Sequence, residues 1–254
     1  MKISNINGST YYQQISSGYR INSAADDAAG LAISEKLQSQ IKEYGVSNQN
    51  AFQGQGLINV ADGAFSNISD ALQRIRELGV QAGNASIYGK EGLSMIQDEI
   101  DQLKDSIQGI AKNTEYNTRK LLDGSNTEWH IASGGVGKDI SIPNATLEAL
   151  GIANFDVTSG DFDLRAVDEA ISKVSSARSG LGASSNGLTH QINYNSNTGY
   201  NLEWAQSNKK DVDMAEAISE MKKSQLLDEY KLYMTKKQIE TNTNNQRRLF
   251  VGML

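Results

Sequence analysis

Apolar residues between positions 58 and 82 recur at alternating spacings of three and four, which places them on one stripe of a helix. The stripe consists of Ile58, Ala61, Phe65, Ile68, Leu72, Ile75, Gly79 and Ala82. Two apolar positions in every seven give a stripe that is narrower than the buried face of an ordinary globular helix. The pattern therefore predicts a heptad seam with a long partner helix lying alongside it.

Two later segments have the spacing needed to pack on this seam. One repeats every seven residues, and Asp161 is its predicted N-cap: Val167, Val174, Leu181, Leu188, Asn195 and Leu202. The other follows a predicted break at residues 84–92 and is shorter: Leu93, Ile96, Ile100, Leu103, Ile107 and Ile110. Because the break is short, we expect the second segment to fold back antiparallel on the seam.

The chain before the seam is less regular. Residues 1–22 are polar and weakly patterned, and we expect them to be irregular or only partly helical. Ser23 and Asp26 have the form of a capping box, which predicts a helix beginning near Ala24. Gly54 and Gly56 each cost roughly 1 kcal/mol relative to alanine, so this helix should be soft where it approaches the seam.

Residues 118–160 have a different pattern, which favours short strands. Asp123 and Gly124 form a turn signal, and isolated apolar residues follow among glycines and polar residues: Ile131, Val136, Ile140 and Ile142. Pro143 falls where a strand end or turn would tolerate it. We therefore predict a small β-hairpin element here.

The last segment, residues 209–254, again has helical apolar spacing, through Met214, Ile218, Met221, Leu227, Tyr230 and Met234. From Glu240 onward it becomes polar. This pattern predicts a terminal helix whose end is frayed or depends on a partner.

Together these patterns predict a mainly α fold: an elongated antiparallel helical bundle or coiled coil of N- and C-terminal segments, with a small β-hairpin element. Five regions result, with bounds 1–22, 23–117, 118–160, 161–208 and 209–254. A single proline and a hydrophobic content of 38% with 7% aromatic residues agree with thin helical layers.

Composition limits the kinds of partner. A formal net charge of −6 provides no broad basic field, so neither nucleic acid nor a membrane is an expected partner. The absence of cysteine excludes disulfides and thiolate sites. The first residues lack the apolar core of a secretory signal, and no apolar run is long enough to span a bilayer.

No group of residues indicates catalysis, a metal site or a cofactor. His130 and His190 lie in different predicted elements, without ligands at suitable spacing, and are interpreted as surface residues. The carboxylate pairs at positions 26–27 and 211–213 lie at predicted helix starts, where capping explains them. The glycines at positions 134–137 lack the lysine and serine of a phosphate loop, so a hairpin turn is the better interpretation.

Five stretches resemble bacterial flagellins. The most specific is SSGYRINSAADDAAGLAISEKL at residues 16–37, which resembles the flagellin signature. It is supported by QRIRELGVQA at 73–82, IQDEI at 96–100, residues 117–122 and DVDMAE at 211–216. The resemblance extends from about residue 16 to residue 227, without the hypervariable outer domains of long flagellins.

The resemblance implies a structural subunit, and not an enzyme, whose N- and C-terminal segments pair in a coiled-coil core and whose extreme termini line the inner tube of the filament. The implied partners are other flagellin subunits, the flagellar export machinery with a chaperone, and the vertebrate Toll-like receptor for flagellin. The implied location is the extracellular flagellum, reached without a cleaved signal peptide.

Three residues match flagellin positions that serve subunit packing and receptor contact: Arg74, Leu78 and Glu99. The alternative interpretation is purely local. Leu78 flanks the seam, where we place it on the outer face with Arg74, whereas Arg74 and Glu99 could be solvated or paired charges.

The chain also departs from the flagellin pattern. Residues 1–15 are too short for the amphipathic segment that usually precedes the signature, so the N-terminal arm is interpreted as shortened. The C-terminal RRLFVGML replaces a blander apolar tail. Two alternatives to an ordinary filament subunit therefore stay open: a minor or divergent protein that modifies or caps the filament, and a protein that acts mainly as a receptor ligand.

Overall fold

The structure is a computed structural model that describes residues 6–132, 137–159 and 162–251. Within them the chain forms long helices and two small antiparallel sheets, which confirms the predicted fold class of a helical bundle with a small hairpin. The helices are α1 (Ile6–Ser17), α2 (Ala28–Ala82), α3 (Ala85–Asn113), α4 (Leu147–Leu150), α5 (Arg165–Lys210) and α6 (Met214–Val251). The strands are β1 (Glu115–Tyr116), β2 (Arg119–Lys120), β3 (Glu128–Ile131) and β4 (Lys138–Ser141).

The chain divides into two compact units. The central unit comprises Lys42–Gly199, and the terminal unit comprises Met1–Ile41 and Tyr200–Leu254.

The core of the central unit is the predicted seam and its partners. All eight residues of the seam are buried, and its seven apolar side chains share one cluster with the predicted positions of α3 and with Val167, Val174, Leu181 and Leu188 of α5. Phe65, Ile68, Leu72 and Ile75 are almost completely inaccessible to solvent. Burying a side chain of this size contributes about 1.5–3 kcal/mol, so these layers supply much of the unit's stability.

Polar pairs flanking the seam show that α2 and α5 run antiparallel within the central unit. Arg178 Nε donates to Asp62 Oδ1 at 2.8 Å. Earlier in α2, Gln55 Nε2 donates to Thr189 Oγ1 at 2.9 Å, further along α5. Earlier residues of α2 thus pair with later residues of α5, which confirms the predicted pairing of these two segments.

Gly54 allows a close approach in this interface. A Cβ placed there would lie 3.0 Å from Leu188 Cδ1 of α5 and 3.1 Å from Ile131 Cγ1 of β3. A glycine predicted to soften the helix instead leaves room for two apolar side chains, and α2 continues through it without a break.

Helix α3 folds back on α2 as predicted. Arg74 of α2 pairs with Glu99 of α3, whereas Gln81, later in α2, donates to the hydroxyl of Tyr88, earlier in α3. The predicted break at residues 84–92 is narrower in the structure. Helix α3 already begins at Ala85 and is interrupted only at Gly89, whose φ of 62° favours glycine.

The helix predicted to begin near Ala24 begins at Ala28. Asp27 is the capping residue, because its Oδ1 accepts the backbone N–H of Gly30 at 2.8 Å. Asp26 instead closes the preceding turn by accepting the backbone N–H groups of Asn22 and Ser23. The error arose because Asp26 does accept the Ser23 N–H, as a capping box requires, but this bond closes a turn, and Asp27 is the residue in register with the helix.

The start of α5 is only partly described. Asp161, its predicted N-cap, lies outside the described residues. Within them, Asp163 Oδ1 accepts the backbone N–H of Arg165 at 2.8 Å, which satisfies one of the free donors of the first turn.

The predicted β-element is present as the hairpin of β3 and β4, in which Trp129 lies opposite Ile140. Pro143 follows the end of β4, as expected. Val136 and most of the glycine-rich turn lie outside the described residues. The hairpin of β1 and β2 was not predicted; its turn residues, Asn117 and Thr118, both have positive φ, which threonine rarely adopts.

The terminal unit is built on α1 and α6. An isolated bridge joins Tyr19 and Asp211, and Gln225 Nε2 of α6 donates to the hydroxyl of Tyr12 of α1 at 2.7 Å. Residues 6–17 form a helix although the sequence showed no convincing seam there, and these contacts join that helix and the turn after it to the C-terminal segment. Asp213 caps α6 by accepting the backbone N–H of Ala215 at 2.9 Å, which confirms the capping interpretation of this acidic pair.

Candidate functional site

The first candidate surface contains Arg74 and Glu99, which the structure brings together across α2 and α3. Arg74 Nε donates to Glu99 Oε1 at 2.8 Å, and its Nη1 lies 3.1 Å from Glu77 Oε2. The side chains of Arg74 and Glu99 are 50% and 45% exposed. The hydrogen bond from Arg74 to Glu99, with a second to Glu77, raises the pKa of the Arg74 guanidinium.

Leu78, the third predicted residue, does not lie on an outer face. It is 2% exposed and belongs to the core of the central unit. The placement beside Arg74 on the surface is therefore wrong, because position 78 is adjacent to Gly79 of the seam and turns inward with it. In the free chain Leu78 packs beneath this surface.

The second candidate surface lies on α6. At 3.6 residues per turn, five of its apolar side chains fall within an arc of about 120°. This outer face consists of Leu226, Leu227, Tyr230, Tyr233 and Met234, which are 49–66% exposed. The residues that are more buried lie on the opposite side of the helix, namely Ala217, Met221, Ser224 and Asp228. Up to Asp228, helix α6 therefore has one side that packs within the terminal unit and an apolar side that does not. Residues 229–247 are exposed around the whole helix, including Leu232 and Ile239.

The sequence interpretation combined two stripes into one. Met221 lies on the inner side of α6, whereas Leu227, Tyr230 and Met234 lie on the outer face. Met214 and Ile218 lie outside the arc of the outer face and are 43% and 37% exposed. The signal that separates them is the gap of six residues between Met221 and Leu227, which turns the helix by about 240°. Counting the spacings between these apolar residues would have predicted that α6 packs against one partner before Met221 and another after Leu227.

The histidines provide no centre for chemistry. His130 Nδ1 lies 2.7 Å from Asp139 Oδ1 across β3 and β4, with both side chains well exposed, and His190 is exposed on α5. In the part of the chain that the structure describes, no group of three or more His, Cys, Asp or Glu side chains could hold a metal ion. No helix among the described residues is long and apolar enough to cross a membrane.

Family comparisons agree with this architecture. The bacterial flagellin N-terminal helical region matches residues 1–127, and the bacterial flagellin C-terminal helical region matches residues 164–246. The first match covers α1–α3 with the β1–β2 hairpin, and the second covers α5 and most of α6. The residues between the matches include β3, β4 and α4.

Individual relatives give the same result. The flagellin of Bacillus subtilis is 40% identical over an alignment that covers 85% of this chain and 84% of the relative. The flagellar filament core protein flaB2 of Brachyspira hyodysenteriae is 33% identical, with 98% of this chain and 93% of the relative covered.

Solved structures share the fold. The flagellin of Bacillus cereus has a TM-score of 0.51 at 24% identity, over 58% of this chain and 88% of that chain. A putative flagellar hook-associated protein from Vibrio parahaemolyticus has a TM-score of 0.63 at 15% identity, over 73% of this chain and all of that chain. With both ends of the chain matched to one family and the curated relatives covered over most of their length, this protein belongs to the bacterial flagellins, the structural subunits of the flagellar filament.

Proposed function

We propose that the chain polymerises into the filament by packing the outer face of α6 against neighbouring copies. The observation that carries this proposal is the exposed apolar arc from Leu226 to Met234. A contiguous apolar surface of this kind is costly in water and typical of an interface. A second copy is the natural occupant, since flagellins assemble from identical subunits and the inner side of α6 already packs within its own unit.

Electron microscopy and sedimentation after seeded polymerisation test this proposal. Tyr230→Glu places a charge in the centre of the outer face and should abolish elongation without altering the helical content of the monomer. The matched control is Thr235→Glu, which adds the same charge on the other side of the same helix. Normal elongation by Tyr230→Glu, with the Thr235→Glu control also normal, would refute the proposed interface.

We further propose that this subunit is the main component of a filament, and that it leaves the cell through the flagellar export machinery with a chaperone and without cleavage of a signal peptide. Long filaments on cells that make only this flagellin support the proposal, whereas an absence of filaments favours a minor subunit or a cap. Mass spectrometry of the secreted protein identifies its N-terminal peptide. An uncleaved N-terminal peptide is the result expected for export without cleavage of a signal peptide. Loss of secretion when the export apparatus is disabled is the expected companion result.

The exposed pair of Arg74 and Glu99 favours a second function, contact with the vertebrate Toll-like receptor for flagellin. In a reporter-cell assay we expect Arg74→Ala to weaken signalling. Arg76→Ala is the matched control, because Arg76 is another exposed arginine of α2, bonded to Asp168 of α5 at 2.6 Å. Leu78→Ala should change signalling only indirectly, by loosening the core packing beneath the surface that carries Arg74 and Glu99. Equal signalling by Arg74→Ala and the wild type would exclude this contact.

A further inference from the structure

One polar layer interrupts the apolar seam of the central unit. Asn195 occupies a heptad position of α5 that is apolar at residues 167, 174, 181, 188 and 202. It is nevertheless 1% exposed. Its facing residue on α2, Ser47, is also buried.

The two side chains satisfy each other. Asn195 Nδ2 donates to Ser47 Oγ at 2.8 Å, and Asn195 Oδ1 accepts from Gln191 Nε2 at 3.0 Å. One position further along each helix, Asn48 Nδ2 donates to Ser196 Oγ at 3.1 Å. A buried amide needs such partners, because an unpaired polar group in a core loses its hydration without compensation.

We propose that the Asn195–Ser47 hydrogen bond selects the axial register of α5 against α2. An apolar heptad seam alone tolerates a slip of seven residues, because each apolar layer then meets another apolar layer. A slip of this size would place Asn195 opposite Gly54, which has no side-chain acceptor, or opposite Gln40. The first slip would place Ser47 opposite Leu202, and the second would place it opposite Leu188. Only the native register pairs the two polar groups.

This role differs from a contribution to stability. A buried polar residue at one heptad position commonly lowers stability relative to leucine while it excludes wrong alignments. Asn195→Leu should therefore raise the melting temperature or leave it unchanged, and should also allow misaligned chains to form on refolding. A residue with a merely structural role would give the opposite result, a lower melting temperature with a single alignment.

The absence of cysteine from the chain makes site-specific labelling straightforward. Spin labels on Asn59→Cys of α2 and Ala183→Cys of α5, both exposed positions, would report the axial alignment of the two helices after refolding from denaturant. The otherwise wild-type chain should give one narrow distance. Asn195→Leu should add a second population displaced by about 10 Å along the helix axis, which is seven residues at 1.5 Å each.

One control variant, one exchange of the two polar residues and one substitute variant complete the test. Asn197→Leu makes the same change at an exposed position two residues away and should keep the single distance. The exchange Ser47→Asn with Asn195→Ser retains a polar pair and should also keep it. If Asn195→Leu does not fold, Asn195→Ala removes the pair without added bulk and carries the same expectation. A single native distance for the Asn195 variants, or a second population in Asn197→Leu, would overturn the proposal.

Discussion

The central and terminal units use apolar residues in opposite ways. In the central unit the seam of α2 is buried within the same chain, and its largest side chains are almost completely inaccessible. In the terminal unit α6 has comparable apolar residues, but those of its outer face are about half exposed or more. In the proposed interface, neighbouring subunits would cover this exposed apolar surface of α6. The proposal therefore assigns stability mainly to the central unit and assembly mainly to the terminal unit.

Amide hydrogen exchange should show the largest contrast between the units. In the free chain we expect the amides of residues 57–78 to exchange only on global unfolding, which for domains costs about 5–15 kcal/mol. The amides of α1 and of residues 226–247 should exchange through local opening, much faster than those of residues 57–78, and become protected in the filament. Strong protection of α1 and α6 in the monomer would remove the distinction.

Truncation of a core side chain should give the next largest effect. Phe65→Ala removes a ring that is 1% exposed and should lower the free energy of unfolding by about 3–5 kcal/mol. Leu226→Ala, on the outer face of α6, should change it by no more than about 0.5 kcal/mol. Urea denaturation of the two monomeric variants measures both values. Similar losses would show that the outer face of α6 is already buried before assembly.

Two glycines of α2 sharpen the comparison within the central unit. Gly54→Ala forces a methyl group against Leu188 and Ile131 and should destabilise the unit by about 1–3 kcal/mol, the usual cost of overpacking. Gly63 has no atom within 4 Å of an added Cβ, so Gly63→Ala should stabilise the helix by up to about 1 kcal/mol. Thermal unfolding of both variants tests the opposite signs, and equal shifts would contradict the packing assigned to Gly54.

The capping residue of α2 should have a smaller effect. Asp27→Ala removes the acceptor of the Gly30 N–H and should cost about 1 kcal/mol. Because this end of α2 belongs to the terminal unit, the loss should appear as faster exchange of residues 28–34, with little change at residues 57–78. The control is Asp26→Ala, which leaves the cap intact and should open only the preceding turn.

The pH dependence of the same turn is the smallest effect. Backbone donors, first Asn22 and then Ser23, together with the Ser23 hydroxyl, lower the pKa of the Asp26 carboxyl. Its stabilising contribution is therefore present above the unfolded pKa of about 3.9 and is lost as the pH falls through the lower folded pKa. Carboxyl NMR titration should show the depressed pKa, and Asp26→Asn should remove this acid-dependent change in the turn. An ordinary Asp26 pKa would argue against these hydrogen bonds.

The sequence was most informative where a pattern repeats. The seam, α3 and the heptads of α5 were predicted because each repeated apolar position supports the same burial and no proline interrupts them. Residues 1–22 were expected to be irregular or partly helical, and the extent of α1 was not predicted because its contacts are with α6, which is distant in sequence. The cap at Asp27 and the inward turn of Leu78 were missed because each depends on a shift of one residue, which spacing alone does not resolve. The turn of the β1–β2 hairpin pairs Asn117 with Thr118, and threonine seldom adopts positive φ, so the sequence was not recognised as a hairpin turn.

An irregular segment next to α3 has a consequence for chemical ageing. Gln97 Oε1 accepts the backbone N–H of Val157 at 2.9 Å, while its Nε2 donates to Asp101 at 2.9 Å. Deamidation of this side chain would preserve the acceptor but place a second carboxylate against Asp101. Gln108 Oε1 similarly accepts the N–H of Leu147 and would preserve that bond after the same reaction. Of these two glutamines, Gln97 is therefore the one whose deamidation would weaken the contact between the segment at Val157 and α3.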